Sequence, residues 1–271
     1  MPGRTTGGVA DLVLTEGMPA ALSLVGLVKS FGARRAVSDL HLEVRAGCLF
    51  GLVGPNGAGK TTTLSMATGL LRPDAGTAAV LGRDVWSDPA AAKALIGVLP
   101  DGLRLFDRLT GGELLRYVGL LRRVPLADIE LRSAELLEAL ALREDRDTLV
   151  VEYSAGMTKK IGLACALIHA PRLLILDEPF EAVDPVSGQG IRSILGNYVL
   201  GGGTVVLSSH VMELVESLCD ELAVVAGGRV LAAGTVDAVR GDSTLQQRFL
   251  DLVGFTAAEE GSLAWLRSSS A

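Results

Sequence analysis

The sequence of 271 residues has few cysteines, few aromatic residues and no long apolar run. Its three cysteines, Cys48, Cys165 and Cys219, lie far apart in apolar segments. This spacing indicates buried thiols in a reducing compartment and argues against a disulfide framework or a cysteine metal site. No apolar stretch approaches the roughly 18 residues that a membrane-crossing helix needs. We therefore expect a chain that does not span a bilayer.

The chain also lacks an excess of positive charge: its 25 Lys and Arg are outnumbered by 31 Asp and Glu, which gives a formal net charge of −6. This balance argues against a protein that coats nucleic acid, although it leaves room for a local basic patch, and we expect no nucleic-acid partner. Hydrophobic residues make up 49% of the chain, enough for a packed core. Residues 1–20 show no periodicity and no signal-peptide pattern, so we expect a disordered tail there. We assign an ordered domain to residues 21–240 and a C-terminal helix with a polar tail to residues 241–271.

The most informative segment is LVGPNGAGKTT, at positions 52–62. Gly54, Gly59, Lys60 and Thr61 match the pattern G-x-x-x-x-G-K-[ST], between a strand-like run and a helix-like run. Glycines let successive backbone N–H groups face phosphates, the lysine reaches the β- and γ-phosphates, and the threonine hydroxyl coordinates Mg²⁺. The alternative is a glycine-rich turn that binds nothing. We predict a nucleotide site formed by Gly54, Pro55, Asn56, Gly57, Ala58, Gly59, Lys60, Thr61 and Thr62.

A second signal is the apolar run at positions 173–176, which is closed by Asp177 and Glu178. Such a run is typical of a buried parallel strand, and the carboxyl ends of parallel strands carry the ligand site of an α/β sheet. One carboxylate would hold Mg²⁺ and the other would polarise a water for attack on the γ-phosphorus. The alternative is that both are solvated strand-end residues.

The remaining pattern predicts further strands and helices. Residues 22–28 and 40–44 are typical of strands joined by a turn region at 31–35, and Gly227-Gly228 is typical of a hairpin turn. Leucines at helical spacing in 112–124 and 128–142 indicate an inserted helical subdomain at about 101–170. Further strands are predicted at 77–81, 94–99 and 204–209, and helices at 61–71, 211–220 and 244–253. Taken alone, Phe31 is a packing aromatic, Ser154 a helix N-cap and His210 a hydrogen bonder at a helix end.

In series, these motifs resemble those of ABC transporter ATP-binding subunits, from about Leu22 to Gly234. Residues 54–61 match the family's Walker A motif and 173–177 its Walker B motif, with Glu178 in the place of the catalytic glutamate. Residues 153–157 occupy the position of the family signature, Asp184 lies in the D-loop and His210 matches the switch histidine. Phe31 stands where the family has an aromatic that stacks on adenine. The resemblance implies an α/β P-loop NTPase fold, with a RecA-like core of mainly parallel sheet, a small antiparallel β region and the helical insertion.

The resemblance also implies a mechanism. Two such domains pair head to tail with ATP between them, so Ser154, Ala155, Gly156 and Met157 would contact the γ-phosphate held by the opposite subunit. Glu178 and His210 would be catalytic, and Thr61, Asp177 and Asp101 would hold Mg²⁺. Both halves of a site are present, which permits a homodimer. The expected partner is a separately encoded transmembrane permease, which would place the chain in the cytoplasm on the inner face of the cell membrane.

Two departures from the family pattern stand out. Asp101 occupies the position of the usual Q-loop glutamine, and the signature is Tyr-Ser-Ala-Gly-Met in place of the commoner Leu-Ser-Gly-Gly-Gln. Signatures of this kind resemble those of subunits that serve small exporters, including drug and antibiotic exporters, and so favour export. Two alternatives stay open: a non-transport ABC ATPase that acts on ribosomes or DNA, and a nucleotide-dependent regulatory module with little turnover.

Overall fold

The computed structural model describes residues 20–254, so most of the predicted N-terminal tail (1–19) and the predicted C-terminal tail (255–271) lie outside the described residues. The strands of this part are β1 Leu22–Phe31, β2 Arg34–Val44, β3 Leu49–Val53, β4 Ala75–Val80, β5 Arg83–Asp84, β6 Ile96–Leu99, β7 Leu173–Asp177, β8 Thr204–Ser209, β9 Glu221–Ala226 and β10 Arg229–Thr235. The helices are α1 Lys60–Ala67, α2 Pro89–Ala94, α3 Gly111–Leu121, α4 Leu126–Ala139, α5 Ala155–Leu167, α6 Pro185–Leu200, α7 Met212–Leu218, α8 Val236–Arg240 and α9 Leu245–Val253.

A six-stranded sheet in the order β10-β9-β3-β8-β7-β6 forms the centre of the fold. Its strands run parallel except for β10, which pairs antiparallel with β9. Every residue of β3, β7 and β8 is buried. These strands carry continuous apolar runs because helices cover both faces of a parallel sheet.

The register of this sheet places three chain segments at one edge. Val53 at the end of β3 pairs with Ser209 at the end of β8, and Asp177 at the end of β7 pairs with Ser208. The segments that follow these strands begin with Gly54, Glu178 and His210. The aligned carboxyl ends of these strands therefore bring Gly54 to the same edge as Glu178 and His210, which follow it by more than 120 positions in the sequence.

A four-stranded antiparallel sheet in the order β2-β1-β4-β5 packs beside the central sheet. Alternate side chains of β1 and β2, such as Leu22, Leu24, Leu40 and Leu42, join the same buried cluster as β3 residues. Burying one such side chain stabilises the fold by roughly 1.5–3 kcal/mol. This packing holds the β1–β2 hairpin against the segment that follows β3.

Helices α3, α4 and α5 follow one another between β6 and β7, where the sequence predicts a helical insertion. Helix α3 begins at a capping box, in which Thr110 Oγ1 accepts from the Glu113 N–H and the Glu113 carboxylate accepts from the Thr110 N–H. Pro125 precedes α4, because proline fits the start of a helix. No helix within residues 20–254 has both the length and the apolar character to cross a membrane.

Some predicted boundaries are wrong. The predicted turn at 31–35 is only two residues long, because Phe31 pairs with Arg34 and Gly32 adopts φ +59° at the turn. The predicted strand 94–99 begins at Ile96, since Ala94 ends helix α2. The three cysteines are free, as expected, and burial raises the pKa of the Cys165 thiol to about 12.

Candidate functional site

The phosphate loop (residues 54–62) connects β3 to α1 and depends on its glycines. A Cβ at Gly54 would collide with the Val225 carbonyl oxygen, and one at Gly59 would collide with the Ala36 carbonyl oxygen. Gly59 also has φ +104°, a region that favours glycine, and it precedes α1 without a side-chain cap. The first N–H groups of α1 lack intrahelical acceptors, as at any helix start, and are therefore available to an anion.

Lys60, the first residue of α1, is held inside this loop. Its side chain is only 6% exposed, and its Nζ donates to the Gly54 carbonyl oxygen at 2.7 Å and to the Pro55 carbonyl oxygen at 3.3 Å. The same nitrogen lies 3.6 Å from Glu178 Oε1. A buried ammonium thus stands between the loop and the end of β7, where it can balance negative charge.

The two carboxylates at the end of β7 are held differently. Asp177 is buried, and its Oδ1 accepts a hydrogen bond from Ser208 Oγ of the neighbouring strand β8. The Glu178 N–H donates to the same Ser208 Oγ at 3.0 Å. Glu178 has φ +48°, which for a residue other than glycine costs roughly 1–3 kcal/mol. Ser208 therefore connects both acidic residues to β8 by hydrogen bonds and helps to hold Glu178 in its strained backbone conformation.

Glu178 also contacts His210, the residue that follows β8. His210 Nδ1 lies 3.1 Å from Glu178 Oε2, while Lys60 Nζ lies on the side of the other carboxylate oxygen. The His210 side chain is 44% exposed and that of Glu178 14%. The carboxylate is thus fixed at both oxygens but open to solvent at one side, which suits a general base that must reach a water.

A cleft of about 590 Å³ lies over these groups. The sequence predicted most of the residues that line it, including Phe31, Pro55 to Thr62, Asp101, Glu178 and His210. Gly54, the first residue of the loop, does not line it. Phe31 is 52% exposed at the end of β1, so its ring is accessible to a planar ligand.

Arg34 and Glu181 also line this cleft and were missed in the sequence. Arg34 lies at the start of β2, and its Nη2 is 3.5 Å from the Gly57 carbonyl oxygen of the phosphate loop. The sequence could have indicated the position of Arg34 only through the length of the β1–β2 turn, because the short turn sets Arg34 opposite Phe31. Glu181 carries no local signal.

The oxygen groups predicted to hold Mg²⁺ surround one small cavity. Thr61, Asp101 and Asp177 line this space of about 40 Å³ between α1 and the ends of β6 and β7. Residues 20–254 contain no cluster of three or more His, Cys, Asp or Glu side chains suited to a metal. A magnesium ion bound with a nucleotide needs only one or two carboxylates, a hydroxyl and phosphate oxygens, so the donor set fits.

Asp101 is exposed in the loop after β6. Its Oδ1 accepts from the Gly102 N–H at 2.8 Å, a local bond that turns the chain after Pro100. Asp101 lines both the large cleft and the small cavity.

The signature residues Ser154 to Met157 do not line the cleft of their own chain. Ser154 caps α5, with its Oγ accepting from the Met157 N–H at 3.2 Å, and both Ser154 and Ala155 are exposed. A Cβ at Gly156 would lie 3.1 Å from the Ala182 carbonyl oxygen, so the start of α5 packs closely on the segment before α6. The structure thus presents this helix start to solvent, away from the phosphate loop of the same chain.

Asp184 caps helix α6. Its Oδ1 accepts from the N–H groups of Val186 and Ser187, both at 3.0 Å. The side-chain hydrogen bond from Ser187, followed by the backbone ones, lowers the pKa of this carboxyl. Asp184 therefore fixes the exposed loop against which Gly156 packs.

Comparisons with known proteins agree with this geometry. A family profile described as ABC transporter matches residues 37–181. The daunorubicin/doxorubicin resistance ATP-binding protein DrrA of Streptomyces peucetius is 38% identical over 242 residues, which are 88% of this chain and 73% of that protein. The Nod factor export ATP-binding protein I of Ralstonia nicotianae is 39% identical over 218 residues, 80% of this chain and 68% of that protein.

A solved structure of an ATP-binding subunit of an ABC transporter matches with a TM-score of 0.81 and 28% identity, covering 86% of this chain and 99% of that one. This match confirms the predicted α/β P-loop fold with its mainly parallel sheet, and the sequence matches confirm the resemblance. The chain therefore belongs to the ABC transporter family, as one of its ATP-binding domains, which couple ATP hydrolysis to transport.

Proposed function

We propose that this chain binds and hydrolyses ATP to energise export by a separately encoded transmembrane permease. The observation that carries the proposal is the cluster of Lys60, Glu178 and His210, in which both other side chains contact the Glu178 carboxylate, at 3.6 and 3.1 Å. All three residues line the cleft that the phosphate loop also lines. The names of the two relatives, a resistance ATP-binding protein and an export ATP-binding protein, support the direction of transport.

Binding follows from the cleft. The phosphate loop supplies backbone N–H groups and the start of α1 to the phosphates, and Lys60 is already placed in the loop to neutralise their charge. Phe31 offers a half-exposed ring for the base, and Arg34 adds a second cation beside Gly57. Thr61, Asp177 and Asp101 would hold Mg²⁺, which when bound neutralises charge on the β- and γ-phosphates.

Hydrolysis requires a water to be oriented and deprotonated. Glu178 would accept the proton of that water, because its carboxylate is fixed by neighbours on both oxygens. His210 would hold the Glu178 side chain in this position through Nδ1 and turn its remaining ring nitrogen toward the γ-phosphate. Ser208 keeps the backbone of Asp177 and Glu178 at the end of the sheet.

The complete site requires a second copy of the chain. Ser154 and the start of α5 face solvent away from the cleft, so they would meet the γ-phosphate bound by the opposite subunit. A symmetric pair would place each α5 start over the other chain's phosphate loop. ATP would then stabilise the pair, and hydrolysis would loosen it by removing the contacts of the γ-phosphate.

Coupling to transport places the chain beside a membrane partner. We propose that the pair docks on the cytoplasmic face of the permease, which would recognise the cargo. In this arrangement residues 21–240 act as the ATP-binding unit, and the helical insertion at 101–170 moves with the γ-phosphate contacts of α5.

The proposal is tested by steady-state ATPase assays of the wild type and Glu178→Gln, with size-exclusion chromatography in Mg-ATP and with the permease encoded nearby. Loss of general-base catalysis lowers turnover by about 10²–10⁴-fold. We expect this loss together with an ATP-dependent dimer in the mutant. A wild type without ATPase activity, even beside the permease, would overturn the proposal, and a mutant that behaves like the wild type would favour a regulatory module.

A further inference from the structure

Helix α7 begins two residues after His210 and is held firmly on one side. Its Val215 is fully buried against β3, the strand that leads into the phosphate loop. A Cβ at Gly51 of β3 would collide with Val215 Cγ1 and would lie 3.1 Å from Cys219 Sγ. This close approach fixes the distance of α7 from the sheet, and Arg192 Nη1 of α6 donates to Ser217 Oγ of α7 at 3.2 Å.

A neighbouring side of α7 is joined to the C-terminal helices through Glu216. Glu216 Oε1 accepts from Arg240 Nη1 of α8 at 3.1 Å, and Oε2 accepts from the Leu245 N–H at 3.1 Å. Leu245 is the first residue of α9 and is fully buried. A carboxylate at a helix N-terminus satisfies a free N–H and interacts favourably with the helix dipole. Glu216 thus joins α7 to α8 and α9 with both of its oxygens.

Packing alone does not join α9 to His210. A cleft of about 430 Å³ separates them, lined by Pro55, His210, Val211, Met212, Glu213, Gln246, Phe249 and Leu250. The apolar side chains of α9 therefore leave open space beside the switch histidine and the phosphate loop. Glu216, which makes these bonds, lies on α7 about one turn after its start.

We propose that Glu216 is a positioning residue for His210. Its two hydrogen bonds, together with the bond from Arg192 to Ser217, set the tilt of α7, and this tilt sets His210 Nδ1 at hydrogen-bond distance from Glu178. The C-terminal helices thereby control the geometry of the catalytic pair without touching it. The inference rests on the proposed catalytic role of Glu178 and His210.

The first test compares Glu216→Ala and Glu216→Gln in the full chain with its permease. Misplacing the His210–Glu178 pair should lower kcat by about tenfold in Glu216→Ala, with the KM for ATP changed by less than about twofold, because the phosphate loop is untouched. In Glu216→Gln the amide oxygen can still accept from the Leu245 N–H, so part of kcat should return. The Gln variant also keeps the test valid where the Ala variant folds poorly.

The matched control is Asp237→Ala. Asp237 Oδ1 binds Arg240 Nη2 at 2.9 Å, so this change also removes one carboxylate from Arg240 but leaves both oxygens of Glu216 in place. We expect its kcat and its KM to equal those of the wild type. A fall in kcat like that of Glu216→Ala would show that Arg240, and not the tilt of α7, is responsible, and would contradict the inference.

A double-mutant cycle with His210→Ala separates positioning from general stability. Rates are measured as single turnovers with enzyme in excess, and folding is checked by circular dichroism. If Glu216 acts through His210, Glu216→Ala causes no further loss in the His210→Ala background. An equal fold-loss in both backgrounds, or a wild-type kcat in folded Glu216→Ala, overturns the inference. Neither result affects the proposed function, which Glu178→Gln decides separately.

Discussion

In the proposed function helices α1 and α5 both offer their N-termini to phosphate, yet the two helix starts are built in different ways. Helix α1 follows a glycine loop without a side-chain cap, and its first residue, Lys60, is buried inside the cleft of its own chain. Helix α5 is capped by Ser154; Ser154 and the first helical residue, Ala155, are exposed, and neither lines that cleft. In the proposed pair, the first half-site is preorganised by the fold, while the second would become a site only when the opposite subunit meets it.

This difference has an energetic cause. The phosphate loop needs glycine at positions 54 and 59, because a side chain at either position would collide with the carbonyl oxygen of Val225 or Ala36. The start of α5 is stabilised by its cap, because Ser154 Oγ accepts from the Met157 N–H, which has no partner within the helix. Such a cap stabilises a helix by roughly 1 kcal/mol. Substitutions can therefore remove the anion contact at α5 without disturbing its fold.

The largest expected effect comes from Ser154→Asp. Aspartate caps helices as well as serine does, so thermal stability should stay close to that of the wild type. Its negative charge would repel the γ-phosphate of the opposite subunit, and we expect turnover to fall by about 10²-fold or more. Steady-state ATPase and thermal unfolding measure the two effects.

Ser154→Ala is the matched control, since it removes the cap without adding charge. It should lower stability by about 1 kcal/mol and reduce turnover less than Ser154→Asp does. If Ser154→Asp hydrolyses ATP at the wild-type rate, the α5 start does not face phosphate, and the comparison of the two helices fails.

A smaller effect is expected at Phe31. Base–aromatic stacking contributes about 1–3 kcal/mol, so Phe31→Ala should raise the KM for ATP by roughly tenfold and leave kcat nearly unchanged. The ring is half-exposed, and its removal should therefore cost little stability. Phe31→Trp should keep the wild-type KM. An unchanged KM in Phe31→Ala would place the adenine elsewhere.

The smallest effect is expected at Asp101. If its carboxylate helps to hold Mg²⁺ with Thr61 and Asp177, Asp101→Asn should raise the Mg²⁺ concentration for half-maximal activity by about threefold. The test is a Mg²⁺ titration of ATPase activity at fixed ATP. Asp107→Asn, in the same connecting segment but outside the small cavity, is the control. Equal titrations in both variants would remove Asp101 from the metal site.

The sequence predicted the parts of the site that depend on residue type at fixed spacing. Gly54 to Thr62, Asp177, Glu178 and His210 lie at the ends of strands whose apolar runs were recognisable, and the parallel register aligns those ends. The proximity of Glu178 to both Lys60 and His210 required the structure, because it depends on the φ of +48° at Glu178.

Other features had no local signal. Arg34 reaches the phosphate loop only because Gly32 permits a two-residue turn, which the sequence suggested was longer. Glu216 resembled any solvated helical glutamate, and its two partners lie 24 and 29 positions away. The domain boundaries at 21, 101, 170 and 240 stay predictions, and so do the roles of the individual site residues.

The most direct test of the shared site is an activity-rescue experiment with Lys60→Met and Ser154→Asp. Each variant alone should be inactive, the first for lack of phosphate charge balance and the second for repulsion at the signature. In a one-to-one mixture, half of the dimers pair an intact phosphate loop with an intact signature at one of two sites. We expect recovery of about a quarter of the wild-type ATPase activity. Activity that stays at the level of the separate variants would contradict it.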